Sequence, residues 1–357
     1  MNPLAHLLVI DLSSVLAGPS VATFFAELGA RVIKLENESS GGDVTRTWKL
    51  PTEDPQARVS AYYASVNYKK EVRSCDLATE AGRADLEMLL SQADVLIQNF
   101  KPADLHKFNL APDDLQKQYP RLIHCHLSGY RSNPNRVAYD VVLQAETGFM
   151  SMNGTPTSGP VKMPVALIDV LAAHQMKEAI LLALYERERT AKGCYITATL
   201  EEAALAALTN QASNFLMQDH IAQRIGSQHP NIAPYGDAFR CADGNEVLLA
   251  IGSDRQFAEF CQIVELQPLI TDPRFSSNAA RVRNRTALNE ALALGIQQFE
   301  STNLLHACEE KRIPAGAVRN VGEACSTPVG QALLREEAIE GIPTKRLSSI
   351  AFQLKRF

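Results

Sequence analysis

Asp169 interrupts an otherwise apolar run, Pro164-Val-Ala-Leu-Ile-Asp169-Val-Leu-Ala-Ala173, where a strand pattern gives way to a helical one. An ionised carboxylate buried without partners costs several kcal/mol, so a residue placed there is a helix cap, half of an ion pair, or a catalyst. Capping is the plainest reading, because Asp is a favoured N-cap before an apolar-periodic helix. Against it, Ala172 sits where a reciprocal capping box needs Glu or Gln, and the approach is apolar rather than polar loop. A helix N-terminus is expected to hold Asp169 ionised, and an ionised carboxylate in a dry pocket is a usable nucleophile. Upstream, Val137-Ala-Tyr139-Asp140-Val-Val-Leu143 sets a second carboxylate in an apolar run, whose plain reading is a buried structural acid and whose other reading makes Tyr139 and Asp140 a second catalytic or positioning pair.

Other chemistries lack their residues. The turn Ser13-Ser-Val-Leu-Ala-Gly18-Pro19 has one glycine where a dinucleotide fingerprint needs three, and no G-x-x-x-x-G-K-[ST] or G-x-S-x-G occurs. His124-x-His126 puts two imidazoles on one face of a strand with no acidic or thiol motif beside them, so no metal is expected. Lys34, Arg46, Lys69, Lys70, Arg73 and Lys107 fall near expected strand ends, where α/β sheets bind ligands. Most read as surface charge, with a subset available for phosphates.

The elements that must position these residues alternate. Leu7 to Leu12, a helical pattern from Ser20 to Leu28 ending at Gly29, and Arg31-Val-Ile-Lys-Leu-Glu36 form one β-α-β unit. A helical period over 80–92 leads to Asp94–Phe100, and Leu122–Leu127 is a further apolar run. A parallel sheet with crossover helices follows. A long helix is expected from Asp169 to about Glu188, then a strand at Tyr195–Leu200 and an Ala-rich helix from Glu201 to about Met217. The turn-forming stretch Gly226–Gly236 and the hairpin arm Asp243–Ile251 open a smaller α+β domain at about 220–315, and the tail from Gly341 returns to the first domain.

With 357 residues, 46% of them hydrophobic and 21% charged, the chain has the composition of an ordinary globular protein. A net charge of −5 argues against nucleic-acid binding. Seven cysteines, an odd number with no CxxC, read as reduced thiols in a cytoplasmic protein. The first eleven residues lack a basic leader region, and their apolar stretch is too short to span a bilayer, so neither export nor a membrane is expected.

Read together, Asp11–Pro19, Leu28–Glu36, Gly42-Asp-Val-Thr-Arg46, Asp94–Phe100, Ser128-Gly-Tyr130, Asp169, His229-Pro-Asn-Ile-Ala-Pro-Tyr235, Asp243-Gly, Asp272-Pro-Arg-Phe275 with Asn278 and Arg281, and Ile313-Pro-Ala-Gly316 resemble the class III CoA-transferases of the CaiB/BaiF type. This family includes formyl-CoA transferase and α-methylacyl-CoA racemase. The resemblance implies an α/β fold with a large Rossmann-like domain, residues 1–200 completed by 320–357. A linker helix at 201–219 and the small domain at 220–315 complete it, in an interlocked homodimer. It implies acyl-CoA and a carboxylic acid as substrates, with no permanently bound cofactor.

Asp169 matches the family's catalytic aspartate, which carries the acyl group as an anhydride and CoA as an aspartyl thioester. The region Gly226–His229 matches a glycine-containing loop over the site. Val15, Leu16 and Ala17 match a segment that wraps the nucleotide by backbone, and Asn99 and Phe100 an Asn-Phe contact with CoA. Lys107 stands where a family Arg approaches a phosphate, and Cys75 where an apolar residue flanks the adenine. Asn37 and Ala78 replace basic residues, which leaves phosphate binding to other cations such as Lys34, Lys69 or Arg46. In the racemase branch a histidine that moves the α-proton falls at position 139. Here it is Tyr139, and free tyrosine, with a pKa near 10, is a poor general base at neutral pH. Transfer is therefore favoured over racemisation, with an acyl-CoA-binding protein that lacks activity as the remaining alternative.

Overall fold

The computed structural model describes residues 2–355 and divides the chain into two compact units, 1–150 with 162–222 and 328–357, and 151–161 with 223–327. The first unit is built on β1 (Leu8–Asp11), α1 (Ala17–Glu27), β2 (Arg31–Glu36), α2 (Ala61–Ser65), β3 (Lys70–Ser74), α3 (Glu80–Leu90), β4 (Val95–Gln98), α4 (Pro102–Lys107), α5 (Pro112–Gln118) and β5 (Ile123–Ser128). There follow α6 (Asp140–Glu146), the short α7 (Phe149–Met152), α8 (Leu167–Thr190), β6 (Tyr195–Thr199), α9 (Leu200–Ala206) and α10 (Thr209–Gln218).

The strands form one parallel sheet in the order β3-β2-β1-β4-β5-β6. Their side chains alternate between two buried layers. Val9, Val32, Val95 and Ile97 face α1 and α8, where Val21, Phe25, Met176 and Ile180 lie, whereas Ile10, Ile33 and Leu96 face Leu86 and Leu90 of α3 and Leu105 of α4. Burial on both faces explains why β1 and β4 read as continuous apolar runs. β1 and β4 are neighbours joined by opposite windings of the chain, so a switch point opens between their C-terminal ends.

Several boundaries differ from the sequence reading. Residues 161–166 are not a strand, and the helix of Asp169 begins at Leu167. The Ala-rich helix is two helices, α9 and α10, broken at Thr209 where φ is +43°, and both belong to the first unit. The polar edge strand β3, Lys-Glu-Val-Arg-Ser, carries no clear apolar alternation. Two further strands, β10 (Leu334–Ile339) and β11 (Ile342–Leu347), form an antiparallel hairpin within the first unit. Beyond it the chain meets α1, where Glu27 accepts from Ser348 Oγ and from the Ser349 and Ile350 amides and pairs with Arg346.

The second unit holds the antiparallel sheet of β7 (Tyr235–Arg240), β8 (Glu246–Ala250) and β9 (Ala315–Ala317) over a core of Val247, Leu249, Phe257, Phe260, Leu288 and Leu292. Among the described residues no helix is long and apolar enough to cross a membrane.

Candidate active site

The buried stripe of α8 runs Asp169, Ala172, Ala173, Met176, Ile180, Ala183, Arg187, the three-and-four spacing of one helix face. Asp169 is the first-turn member of that stripe, so the period that packs α8 on the sheet also buries its carboxylate, 8% exposed. It is not the cap. Ala166 occupies the N-cap with no side-chain hydrogen bond, and Asp169 is the third helical residue. The cap comes from α6: Asp140 Oδ1 accepts the Ile168 amide at 2.7 Å. Asp169 itself accepts no side-chain hydrogen bond from any described residue.

Burial, and then the charge of Asp140, push the Asp169 carboxyl up to about 7. The helix N-terminus was expected to hold this carboxylate ionised. Desolvation outweighs it, because a helix end supplies about 1 kcal/mol and each pKa unit is worth about 1.4.

Asp169 opens on a cavity of 330 Å³ beyond the ends of β1, β4 and β5, lined by Ser14–Ala17, Asn99–Lys101, Leu127–Gly129, Pro134, Arg136–Asp140 and Leu200. A second cavity of 350 Å³ beyond β1, β2 and β3 is lined by residues that include Lys34, Asn37, Cys75–Ala78, Phe100, Lys107 and Phe108. Ser14 and Phe100 line both. The structure thus brings together Val15, Leu16, Ala17, Asn99, Phe100, Tyr139, Asp140 and Asp169 around one cavity, and Cys75, Phe100 and Lys107 around its neighbour.

The loop after β1 is held rigidly. Ser14 exchanges two hydrogen bonds with the Asn99 amide, N–H to Oδ1 at 3.1 Å and Nδ2 to the carbonyl at 3.0 Å. Val15 has φ +74°, a strained value for a β-branched residue that the surroundings must enforce. Gly18 is required because a Cβ there would lie 2.3 Å from the Ser13 side chain.

Beneath the loop sit two lysines and two aspartates. Lys34, 0% exposed, donates to the Ser13 carbonyl at 2.6 Å and pairs with Asp43 at 3.1 Å and Asp11 at 3.9 Å. Lys70 satisfies all three donors on Asp11, the Pro19 carbonyl and Asn67. Burial pushes the Asp11 carboxyl up, and Lys70 and Lys34 more than offset it, leaving it below its ordinary value. Lys34 therefore braces the loop from below and has no donor directed at a ligand.

Arg46 is buried on Glu36, Tyr63 and Glu340. Lys69 precedes β3, at the end of the sheet opposite the cavities. The cations suggested to replace Asn37 and Ala78 are thus committed elsewhere or remote. Lys107 in one cavity wall and Lys101 in the other are exposed and make no ion pair with described residues. Lys101 was overlooked in the sequence, although its place after Asn99-Phe100 at a strand end was the available signal. Arg136, Gln144 and Tyr62 were also missed. Burial, and then the field of Asp169, Asp140 and Asp43, push the Tyr62 hydroxyl up to about 12.

His126 is pinned between the Phe100 carbonyl and the Tyr195 hydroxyl and held below its ordinary pKa by burial. The carbonyl can only accept, so Nε2 carries the proton and Nδ1 accepts from tyrosine. Gly226 and His229 belong to the second unit. There Gly226 has φ +70°, the His229 amide donates to the Tyr235 carbonyl, and its carbonyl accepts from Arg285. Asp237 anchors the loop through Arg285, Asn289, Gln228 and the Tyr235 amide.

The fold and cavities define a Rossmann-like protein with a cavity at the switch point that is lined by a buried carboxylate. The chain belongs to CoA-transferase family III, whose model matches residues 4–345. It is 35% identical to a succinate–glutarate CoA-transferase of Agrobacterium fabrum, over 92% of this chain and 83% of that one. It is 34% identical to an acetyl-CoA:oxalate CoA-transferase of Acetobacter aceti, over 92% and 83%. A crystal structure of a CaiB/BaiF family protein from Brucella suis superposes with a TM-score of 0.86 at 35% identity, covering 97% of this chain and 91% of that one.

Proposed function

We propose that this enzyme moves CoA between an acyl-CoA and a carboxylic acid with Asp169 as the covalent carrier. The supporting observation is a buried carboxylate with no hydrogen bonds, in a cavity it shares with the loop after β1. An Asp169 oxygen attacks the thioester carbonyl, the C–S bond breaks, and CoA thiolate leaves an acyl-aspartyl anhydride. The thiolate then attacks the Asp169 carbonyl carbon, releasing the donor acid and forming aspartyl-CoA. The acceptor carboxylate attacks that thioester, and the thiolate returns to the acceptor's acyl carbon, freeing Asp169. Each step exchanges one carboxylate or thiolate for another, so no net proton, metal or electron is called for. Burial strips solvent from the nucleophile and protects the anhydride from hydrolysis.

In this reading the pantetheine arm lies along Val15–Ala17 and Asn99–Phe100. The nucleotide lies in the neighbouring cavity against Cys75, with Lys107 and Lys101 as phosphate cations. The relatives named for succinate, glutarate and oxalate point to a dicarboxylic acceptor. Arg136, which lines the same cavity and here pairs with Glu146, is the group for its second carboxylate, the substrate taking the place of Glu146. Tyr139 replaces the racemase histidine, and no described histidine lines this cavity. A homodimer belongs to the same proposal, since α8 exposes Leu181, Leu182 and Tyr185 and α10 exposes Phe215, Leu216 and Met217. Light scattering on the purified protein tests it.

Incubation with succinyl-CoA or acetyl-CoA, trapping with hydroxylamine or borohydride and peptide mass mapping is expected to place the adduct on Asp169. Turnover without any adduct there, accompanied by α-proton exchange in deuterated water, would overturn the transferase mechanism.

A further inference from the structure

The segment that delivers Asp169 has little hydrogen bonding of its own. Residues 162–166 lie in no helix or strand, yet they fix where α8 begins. One face of α6 holds them. Gln144, 1% exposed, accepts the Met163 amide on Oε1 at 2.8 Å, and its Nε2 reaches the Met163 carbonyl at 3.3 Å and the Val165 carbonyl at 3.5 Å. The same Nε2 donates to Asp140 Oδ2 at 2.6 Å, and Asp140 Oδ1 takes the Ile168 amide. Asp140 and Gln144 are four residues apart, one helical turn, and grip the chain on both sides of the α8 start.

Resting on the reading of Asp169 as nucleophile, we propose that Asp140 and Gln144 are positioning residues that aim the Asp169 carboxylate into the cavity and set a second negative charge beside it. Any short polar side chain suffices to cap a helix, and Ser, Thr or Asn serve as well as Asp. A charged cap next to a buried carboxylate is unfavourable for stability, so its use here points to function. Asp140 disfavours the charged form of Asp169 and so raises its basicity, and a more basic carboxylate is a stronger nucleophile towards a thioester.

The other titratable groups around the site are few. α2 brings Tyr62, whose hydroxyl stays neutral. The cavity wall brings Tyr139, Lys101 and Arg136, the last paired with Glu146 of α6, and Asp43, paired with Lys34, faces the same Tyr62. α9 brings Glu201 and Glu202, the latter bound to Arg131. α1 has none before Glu27. Of these, Asp140 is the charge that moves Asp169.

Two variants separate charge from geometry. Asp140→Asn keeps an acceptor for the Ile168 amide and removes the charge, while turning an amide hydrogen toward Gln144 Nε2. It is expected to move the acid limb of the kcat/KM profile down by at least about half a pH unit. Gln144→Met keeps the charge and releases the segment. It is expected to lower kcat about 10- to 100-fold with the limb and the KM for acyl-CoA unchanged. Thermal unfolding of both confirms that the comparison is between folded enzymes. If the wild type forms the Asp169 adduct and both variants keep its rate and its pH limb, the clamp is overturned alone. A wild type that turns over without labelling overturns the nucleophile and the clamp with it.

Discussion

Asp169 sits where burial and a neighbouring carboxylate give it a basicity an exposed aspartate lacks, and two measurements follow. Attack on a thioester needs the ionised form, so kcat/KM for acyl-CoA is expected to fall about tenfold per pH unit below about 7. An ordinary aspartate would give a flat profile from pH 5 upward. The same shift acts on stability. Between 3.8 and about 7 the folded carboxyl binds more protons than the unfolded one, so stability falls as pH rises through that window. The loss is absent below it and complete above it. Asp169→Asn is expected to abolish turnover and to unfold at higher temperature than the wild type, with a gain that grows across the window to a few kcal/mol. Asp169 was legible because it breaks an apolar run. Its cap was not, because Asp140 comes from another helix 28 residues earlier, and no local pattern records such a pairing.

At the scale of elements, the loop between β1 and α1 is kept in shape by hydrogen bonds from Asn99 beside it and Lys34 beneath it. Asn99→Ala removes both bonds to Ser14 and is expected to weaken CoA binding, read by calorimetry, at about 1–2 kcal/mol of stability. Lys34 and Lys107 look equivalent in sequence, each a basic residue near a strand end. Lys34→Ala leaves Asp43 short of its buried partner and is expected to cost about 3–5 kcal/mol of stability. Lys107→Ala is expected to leave the melting temperature unchanged and to weaken CoA binding with a reduced salt dependence. The difference was hidden because Asp43, the partner of Lys34, arrives on a loop that periodicity does not describe. Strands β1, β2, β4, β5 and β6 were legible from their apolar runs. β3, half-exposed and polar, offered no such signal.

Across the whole molecule, the first unit is assembled from three stretches of chain, and the last of them carries structural weight. Glu27 on α1 accepts from Ser348, Ser349 and Ile350 and pairs with Arg346, contacts separated by 319 to 323 residues. Burial pushes the Glu27 carboxyl up, and Arg346 and these donors more than offset it, holding it below its ordinary value. Deleting residues 334–357 is therefore expected to lower the melting temperature. Part of that difference should vanish in acid, as the intact protein loses the bonds when Glu27 is protonated. The expected return of the tail to the first domain followed from its charge and short apolar pieces, but its hairpin and its meeting with Glu27 did not. During synthesis on a ribosome, Glu27 emerges early, and its partners follow only 319 to 323 residues later. The crevice framed by α1 and β1 thus becomes fully braced only once residues 346–350 have emerged, and nascent chains arrested before residue 346 should be cut by protease within the first unit.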